Sequence, residues 1–184
     1  MGIRNPLIGP RRAAAGLCLL ALAVLAGMLW SGALLPGSPS SPTPSPTDQG
    51  FVTHLVDGDT LDVRVNGVVV RVRLLNVDTP ETKKPNTPVQ CMGTEASVRL
   101  AELAPIGSRV KLSYDVDRLD RFGRTLAVVT TKGGVNASET LAAEGLGVAL
   151  RIGQNGAGYA RVLAAEKQAR KLRLGLFSGA CGTR

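Results

Sequence analysis

The chain has a single histidine, His54, and three cysteines, of which only Cys91 and Cys181 follow residue 50. One histidine excludes a multi-histidine metal site and a His-x-x-x-His helix. Two late cysteines exclude a cysteine-rich zinc site. Aromatic residues are scarce as well: past residue 50 there are Phe51, Tyr114, Phe122, Tyr159 and Phe177. Long apolar runs are limited to one, the 23 uncharged positions 13–35. The 134 residues after position 50 can bury one core, and two domains cannot fit in that length.

The first fifty residues speak to location. Arg4, Arg11 and Arg12 precede the apolar run, and no Lys or Arg follows it for nearly thirty positions. As a helix the run reaches roughly 34 Å, enough to cross a bilayer. The charge asymmetry leaves the N-terminus in the cytoplasm and the remainder outside. Residues 1–35 are therefore expected to be a signal anchor or a cleaved signal peptide. Residues 36–50 hold five prolines and six Ser or Thr, the composition of a stiff, solvated linker. The domain, 51–184, is expected to be extracytoplasmic, either membrane-anchored through 13–35 or secreted. In that compartment Cys91 and Cys181 are expected to be bonded, the alternative being two separate thiols.

The full chain carries a net charge of +8. Without the three early arginines and Asp48, 19 Lys/Arg face 13 Asp/Glu, a charge of +6 that favours polyanionic partners. Phe51–Val56 and Leu61–Val65 read as strands, and Asn66-Gly67 is a two-residue hairpin signal. Val68–Val77 reads as one long strand. Prolines 80, 85 and 88 forbid regular structure before Gly93. A helix is expected over Thr94–Ala104, then strands at Val110–Tyr114 and Leu126–Thr131. Asn136-x-x-Glu139 resembles a capping box opening a short helix. Gly147–Ile152 is β-prone. A last helix over Tyr159–Leu174 should bury Tyr159, Val162, Leu163, Ala169 and Leu172. This order suggests an α+β protein built on a five-stranded OB-fold barrel with about three helices, preceded by the N-terminal hydrophobic helix.

The chemistry-bearing residues fall in three runs. Asp57-Gly58-Asp59-Thr60 ends the first strand. Arg73, Asp78, Thr79 and Glu81 sit within nine positions where the third strand runs out. Asp117 to Arg124 adds a further arginine just after Gly123. Two carboxylates and a carbonyl make a partial shell for a hard cation. Guanidinium groups grip phosphate through paired hydrogen bonds. A nearby glutamate can orient or deprotonate water. The set suits phosphodiester hydrolysis, although strand-end Arg and Asp residues can also simply pair with one another.

The arrangement resembles the staphylococcal nuclease (thermonuclease) family. Asp57-Gly58-Asp59-Thr60 looks like its first signature, Arg73 through Glu81 like its second, and Phe122-Gly123-Arg124 like its third. The second, nine positions long and matched in all but one, is the specific one. The similarity runs from about Val52 to Phe177. It implies Ca2+ as cofactor, held by Asp59, Asp78 and the Thr79 carbonyl. Arg73 and Arg124 would hold the phosphate, and Glu81 would act on the attacking water. Asp57 would support the turn. The substrate would be DNA and possibly RNA, cleaved to 3′-phosphate ends, and a monomer is expected. Lys83, Lys84, Phe122 and Arg151 are candidate substrate contacts.

The chain departs from the family where tyrosines flank the nucleotide. Phe122 keeps a ring without the hydroxyl, and Leu150, Arg151 and Ile152 replace the tyrosines near the last strand. Base stacking is worth about 1–3 kcal/mol per base, so binding should suffer more than chemistry. Basic positions on the last helix, Lys167, Arg170, Lys171 and Arg173, read as a solvated face. Two functional readings remain at this point: a nuclease, and a nucleic-acid-binding domain of the same fold that is catalytically weak or inactive. Every position of the catalytic set is filled, which favours the first.

Overall fold

The computed structural model describes residues 46–83 and 88–182. The expected N-terminal helix and most of the 36–50 linker lie outside them. Among the described residues no helix is long and apolar enough to cross a membrane. Among the described residues seven strands run β1 (Thr47–Leu55), β2 (Thr60–Val65), β3 (Val68–Leu74), β4 (Val77–Asp78), β5 (Arg109–Ser113), β6 (Thr125–Thr131) and β7 (Val148–Ala149). Three α-helices accompany them in those residues: α1 (Gly93–Leu103), α2 (Ala137–Ala143) and α3 (Tyr159–Leu172), with a 3-10 turn at Gly175–Phe177. Five strands close a barrel in the order β1-β2-β3-β6-β5, and β4 pairs with β7 in a separate ribbon. All barrel pairings are antiparallel except β3 with β6. The five-stranded barrel and three helices match the expectation.

The folded part begins earlier than residue 51. Thr47 to Phe51 pair residue for residue with Ser113 to Arg109 of β5, so the end of the expected linker is a strand. Tyr114 adds to this by donating its hydroxyl to Asp48 Oδ2 at 2.8 Å. Gly50 permits the pairing: a Cβ there would stand 2.6 Å from the Arg64 carbonyl oxygen. Neighbouring strands leave no room for a side chain at that point.

The Asn66-Gly67 hairpin forms as expected, with both residues at positive φ (49° and 86°), the geometry of a type I′ turn. The long strand over 68–77 does not form. Asn76 adopts φ 67°, a left-handed conformation that asparagine tolerates better than most residues, and it ends the barrel strand. Val77 and Asp78 then pair with Ala149 and Val148, short of the expected 147–152 strand. This kink lifts Asp78 to Glu81 off the barrel wall.

Inside the barrel, alternate residues Val52, Leu61, Val63, Val72, Leu74, Leu112 and Val129 are fully buried. Leu100 of α1, Leu141 of α2 and Val162 of α3 cap this cluster. Each such side chain contributes about 1.5–3 kcal/mol relative to exposure. At α2 Asn136 is the N-cap: its Oδ1 accepts the Ser138 and Glu139 N–H groups, and the return bond to Glu139 Oε1 comes from the Asn136 side-chain amide, not from the backbone N–H of a full capping box. The buried stripe of α3 is Val162, Glu166 and Ala169. Leu172, expected inward, is exposed because it is the last helical residue and the chain reverses at Arg173 (φ 55°). Glu166 is buried because its Oε2 accepts the Ala149 N–H at 2.7 Å, tying α3 to β7. Cys91 and Cys181 are joined by a disulfide, as expected, fastening the C-terminal tail to the residue before Met92 and α1.

Candidate active site

A cleft of about 590 Å³ opens where the β1–β2 turn, the β3–β4 kink, the segment before β6 and the segment after β7 meet. Asp59, Arg73, Asp78, Thr79, Glu81, Phe122, Arg124 and Arg151 all line it. These residues come from segments more than ninety positions apart, and the fold brings them to one place. Of the other expected contacts, Lys83 is exposed and does not line the cleft, and Lys84 lies outside the described residues.

The β1–β2 turn sets the first carboxylate. Asp57 Oδ1 accepts the Asp59 N–H at 3.1 Å, closing an Asx turn, which is the supporting role expected of it. Gly58 lets the turn lie close to the kink, since a Cβ there would stand 2.7 Å from Thr79 Oγ1. Asp59 is nearly buried. Its Oδ1 accepts from the Thr60 hydroxyl, and its Oδ2 accepts from the Thr79 N–H and from Arg73. Asp78, half exposed, receives Arg73 Nη2 at 2.7 Å.

Arg73 is more deeply engaged than its place in the motif suggests. Nη1 donates to the carbonyls of Leu74 and Val77, both at 2.7 Å, and Nη2 reaches Asp59 and Asp78. Four of the five guanidinium N–H groups are thereby placed inside the protein. Arg73 rivets the β3–β4 kink to the β1–β2 turn, and only Nε has no partner among the described residues.

Four carboxylates, Asp57, Asp59, Asp78 and Glu81, share this end of the cleft with that one arginine. Burial, and then the charge of Asp59, push Asp57 up to about 6. Burial likewise raises Asp78; Arg73 opposes the shift, and Asp59 and Glu81 add to it. The donors here are all oxygen, with no thiol or imidazole, which fits a hard cation such as Ca2+. Such an ion would relieve the unbalanced negative charge. Among the described residues no three acidic, His or Cys side chains converge closely enough to hold a metal by themselves. An ion at Asp59, Asp78 and the Thr79 carbonyl would therefore take most of its ligands from water and substrate.

Arg124 stands on the opposite wall, and its orientation comes from Asp120, which the sequence reading missed. Asp120 Oδ2 accepts Arg124 Nε at 2.7 Å, while Oδ1 accepts the backbone N–H groups of Phe122 and Arg124 at 2.9 Å. Gly123, at φ 78°, completes the turn. Burial pushes the Asp120 carboxyl up, but the Arg124 N–H and guanidinium and the Phe122 N–H together outweigh it and leave it below the usual range. The local signal was available: an aspartate three positions before a glycine is the pattern of a side-chain-closed turn.

Phe122 is 68% exposed, with the Arg121 guanidinium 4.7 Å from its ring centroid. Arg151 lies across the cleft and donates to the Gln154 carbonyl at 3.3 Å. The Gly153–Gly158 loop that carries this wall is pinned by Asn155, fully buried, which exchanges hydrogen bonds with the backbone of Asp117. No local pattern links Asp117 to Asn155, so this support was not legible in sequence. Glu81 folds back on its own loop: Oε1 accepts the N–H groups of Thr82 and Lys83, and Oε2 has no hydrogen bond among the described residues.

Comparison with known proteins follows the same residues. The family model described as staphylococcal nuclease homologue matches residues 71–179. The chain is 42% identical to a thermonuclease of Staphylococcus hyicus over 127 residues, 69% of this chain and 74% of that protein. It is 36% identical to a micrococcal nuclease of Shigella flexneri over 138 residues, 71% and 74% of the two chains. A prophage-derived endonuclease of Bacillus subtilis is 51% identical over 92 residues, half of this chain and 30% of that protein.

Proposed function

The chain belongs to the staphylococcal nuclease family, and on that premise we propose that it is a Ca2+-dependent nuclease acting outside the cytoplasm. The observation that supports this best is the convergence of Asp59, Arg73, Asp78, Glu81 and Arg124 on one cleft from distant segments. The substrate is nucleic acid, DNA in the first place, cut to leave 3′-phosphate ends.

Asp59, Asp78 and the Thr79 carbonyl would hold Ca2+, which when bound would supply positive charge to offset that of the phosphate. Arg124, fixed at Nε by Asp120, directs its remaining N–H groups into the cleft, where they can take two phosphate oxygens. There they neutralise charge that builds as phosphorus becomes five-coordinate. Arg73 acts from the opposite side, mainly by fixing Asp59 and Asp78 and through its remaining N–H. Glu81 Oε2 accepts a proton from the attacking water as the new P–O bond forms. The bond to the 5′-oxygen breaks, and the leaving alkoxide takes a proton from solvent. Phe122 offers a ring for base stacking, and Arg151 a cation for the backbone.

The test is incubation of the purified protein with single-stranded and duplex DNA, with Ca2+ or with chelator, followed by analysis of the ends. Ca2+-dependent cleavage to 3′-phosphates is expected. Binding without cleavage would make the chain a nucleic-acid-binding relative instead.

A further inference from the structure

Glu81 sits at the neck of the loop that leads to α1, and the neck is held from several directions. Its N–H donates to Gln90 Oε1 at 3.0 Å, and the Gln90 N–H donates to the Glu81 carbonyl at 3.0 Å. A single residue thus grips both backbone polar groups of Glu81. Gln90 is itself anchored forward, since its carbonyl accepts the Gly93 N–H at 2.9 Å. The first residue of α1 also presses on the neck: a Cβ on Gly93 would stand 2.9 Å from Thr82 Cγ2, 3.1 Å from the Pro80 carbonyl and 3.2 Å from the Glu81 carbonyl. The residue after Gln90 is Cys91, bonded to Cys181, ninety positions on. Cys91 is exposed, within reach of a small thiol.

We propose that Gln90 is a positioning residue for Glu81 and that the Cys91–Cys181 disulfide braces it, so that the rate of cleavage depends on the oxidation state of that bond. The inference rests on the role of Glu81 in the proposed hydrolysis. Glu81 must be placed against water to within a fraction of an ångström, and a misplacement of about 1 Å costs on the order of 100-fold in rate. The groups that hold substrate, Arg124, Phe122 and Arg151, lie on other segments, so loosening the neck acts on kcat and leaves KM nearly untouched. The switch is a two-electron exchange with a dithiol. One dithiol sulfur attacks the bond and releases a cysteine thiol, and the second displaces the other cysteine. The products are Cys91 and Cys181 as thiols and the dithiol as its cyclic disulfide.

The full oxidised chain is compared with the same protein reduced by a dithiol, at a temperature where circular dichroism stays native. Reduction is expected to lower kcat by about tenfold or more, with KM within about threefold. Amide exchange at Glu81 and Gln90 is expected to accelerate while that of β2 and β3 does not. Reoxidation restores both. The Cys91→Ser/Cys181→Ser protein is expected to be slow with or without dithiol. Gln90→Ala is expected to lower kcat even when oxidised, and Gln90→Glu, which keeps the acceptor oxygen, to recover it. An unchanged kcat and unchanged Glu81 exchange in the reduced, folded protein overturn the proposal. If reduction unfolds the chain, oxidised Gln90→Ala decides, and wild-type kcat there overturns it. A wild-type protein that cuts no DNA sinks the nuclease reading alone, because amide exchange still reports whether the disulfide braces Glu81.

Discussion

Arg124 hangs from Asp120 by two bonds, one from its side chain to Oδ2 at 2.7 Å and one from its backbone to Oδ1 at 2.9 Å. A single carboxylate therefore sets both the turn and the direction of the guanidinium. Asp120→Asn keeps an oxygen for the turn and loses the charged partner. It is expected to lower kcat by about tenfold with the fold intact. Arg124→Ala, which removes the charge proposed to meet the phosphate, is expected to lower it by about 100- to 1,000-fold. Steady-state kinetics on both variants check the order. A normal rate for Asp120→Asn would mean that Arg124 needs no such support.

Arg73 and Arg124 look equivalent as motif residues and differ in stability. Arg73 is about 5% exposed and bonded to Asp59, Asp78 and two carbonyls. Removing one partner of a buried ion pair costs about 3–5 kcal/mol. Arg73→Ala is expected to lose stability on that scale. Arg124→Ala, with a single partly exposed pair, is expected to lose less than about 1 kcal/mol. Urea unfolding of the two variants measures the difference.

The contrast shows which features local sequence carries. Asn66-Gly67, the Asn136 cap and the run from Arg73 to Glu81 were legible because each is set by neighbours a few positions apart. The start of β1 at Thr47 was not, because it depends on a partner strand more than sixty positions away. The break at Asn76 was hidden inside a valine- and leucine-rich run, where one left-handed residue outweighs β propensity. The inward Glu166 was missed because its burial is made tolerable by a distant partner, the Ala149 N–H at Oε2, as well as by Arg170 one turn on at Oε1. Asp59, Arg73, Asp78, Glu81 and Arg124 can be picked out of the sequence as a set that the fold brings to one cleft, and Asp120 carries a local turn signal, whereas Gln90 and Asn155 reach partners that no short pattern links to them.

Asp57 links pH to stability with a definite sign. Its carboxyl is held at about 6 in the folded state, against about 3.9 in an unfolded chain. The folded state holds that proton more tightly, so this group lowers stability as pH rises from about 4 to about 6, and the deficit persists above. Asp57→Asn keeps the oxygen that accepts the Asp59 N–H and removes the deficit. The variant is expected to be more stable than wild type at about pH 7.5, with the gain gone near about pH 3.5. Asp62 has the opposite sign. Its hydrogen bond to Arg71 lowers the carboxyl against the effect of burial, so its contribution is present above about pH 4 and fades in acid. Asp62→Asn is expected to cost stability at neutral pH and little at about pH 3. Urea titrations at the two ends check both signs.

Ion binding can be read without any substrate. If Asp59 and Asp78 hold Ca2+, the ion stabilises the folded state by mass action, by about 2.7 kcal/mol at one hundred times its dissociation constant. Thermal unfolding is expected to shift upward with Ca2+ and not to shift in Asp59→Asn. An equal shift in that variant would place the ion elsewhere.

One comparison bears on the whole account: the rate of DNA cleavage by the purified wild-type protein, by Glu81→Gln and by Arg124→Ala, each in Ca2+ and each in chelator. Wild type is expected to cut only with Ca2+, and both variants to cut at least about 100-fold more slowly, Glu81→Gln while binding DNA as wild type does and Arg124→Ala while binding it more weakly. Wild-type rates in both variants, or cleavage that ignores the chelator, would contradict it.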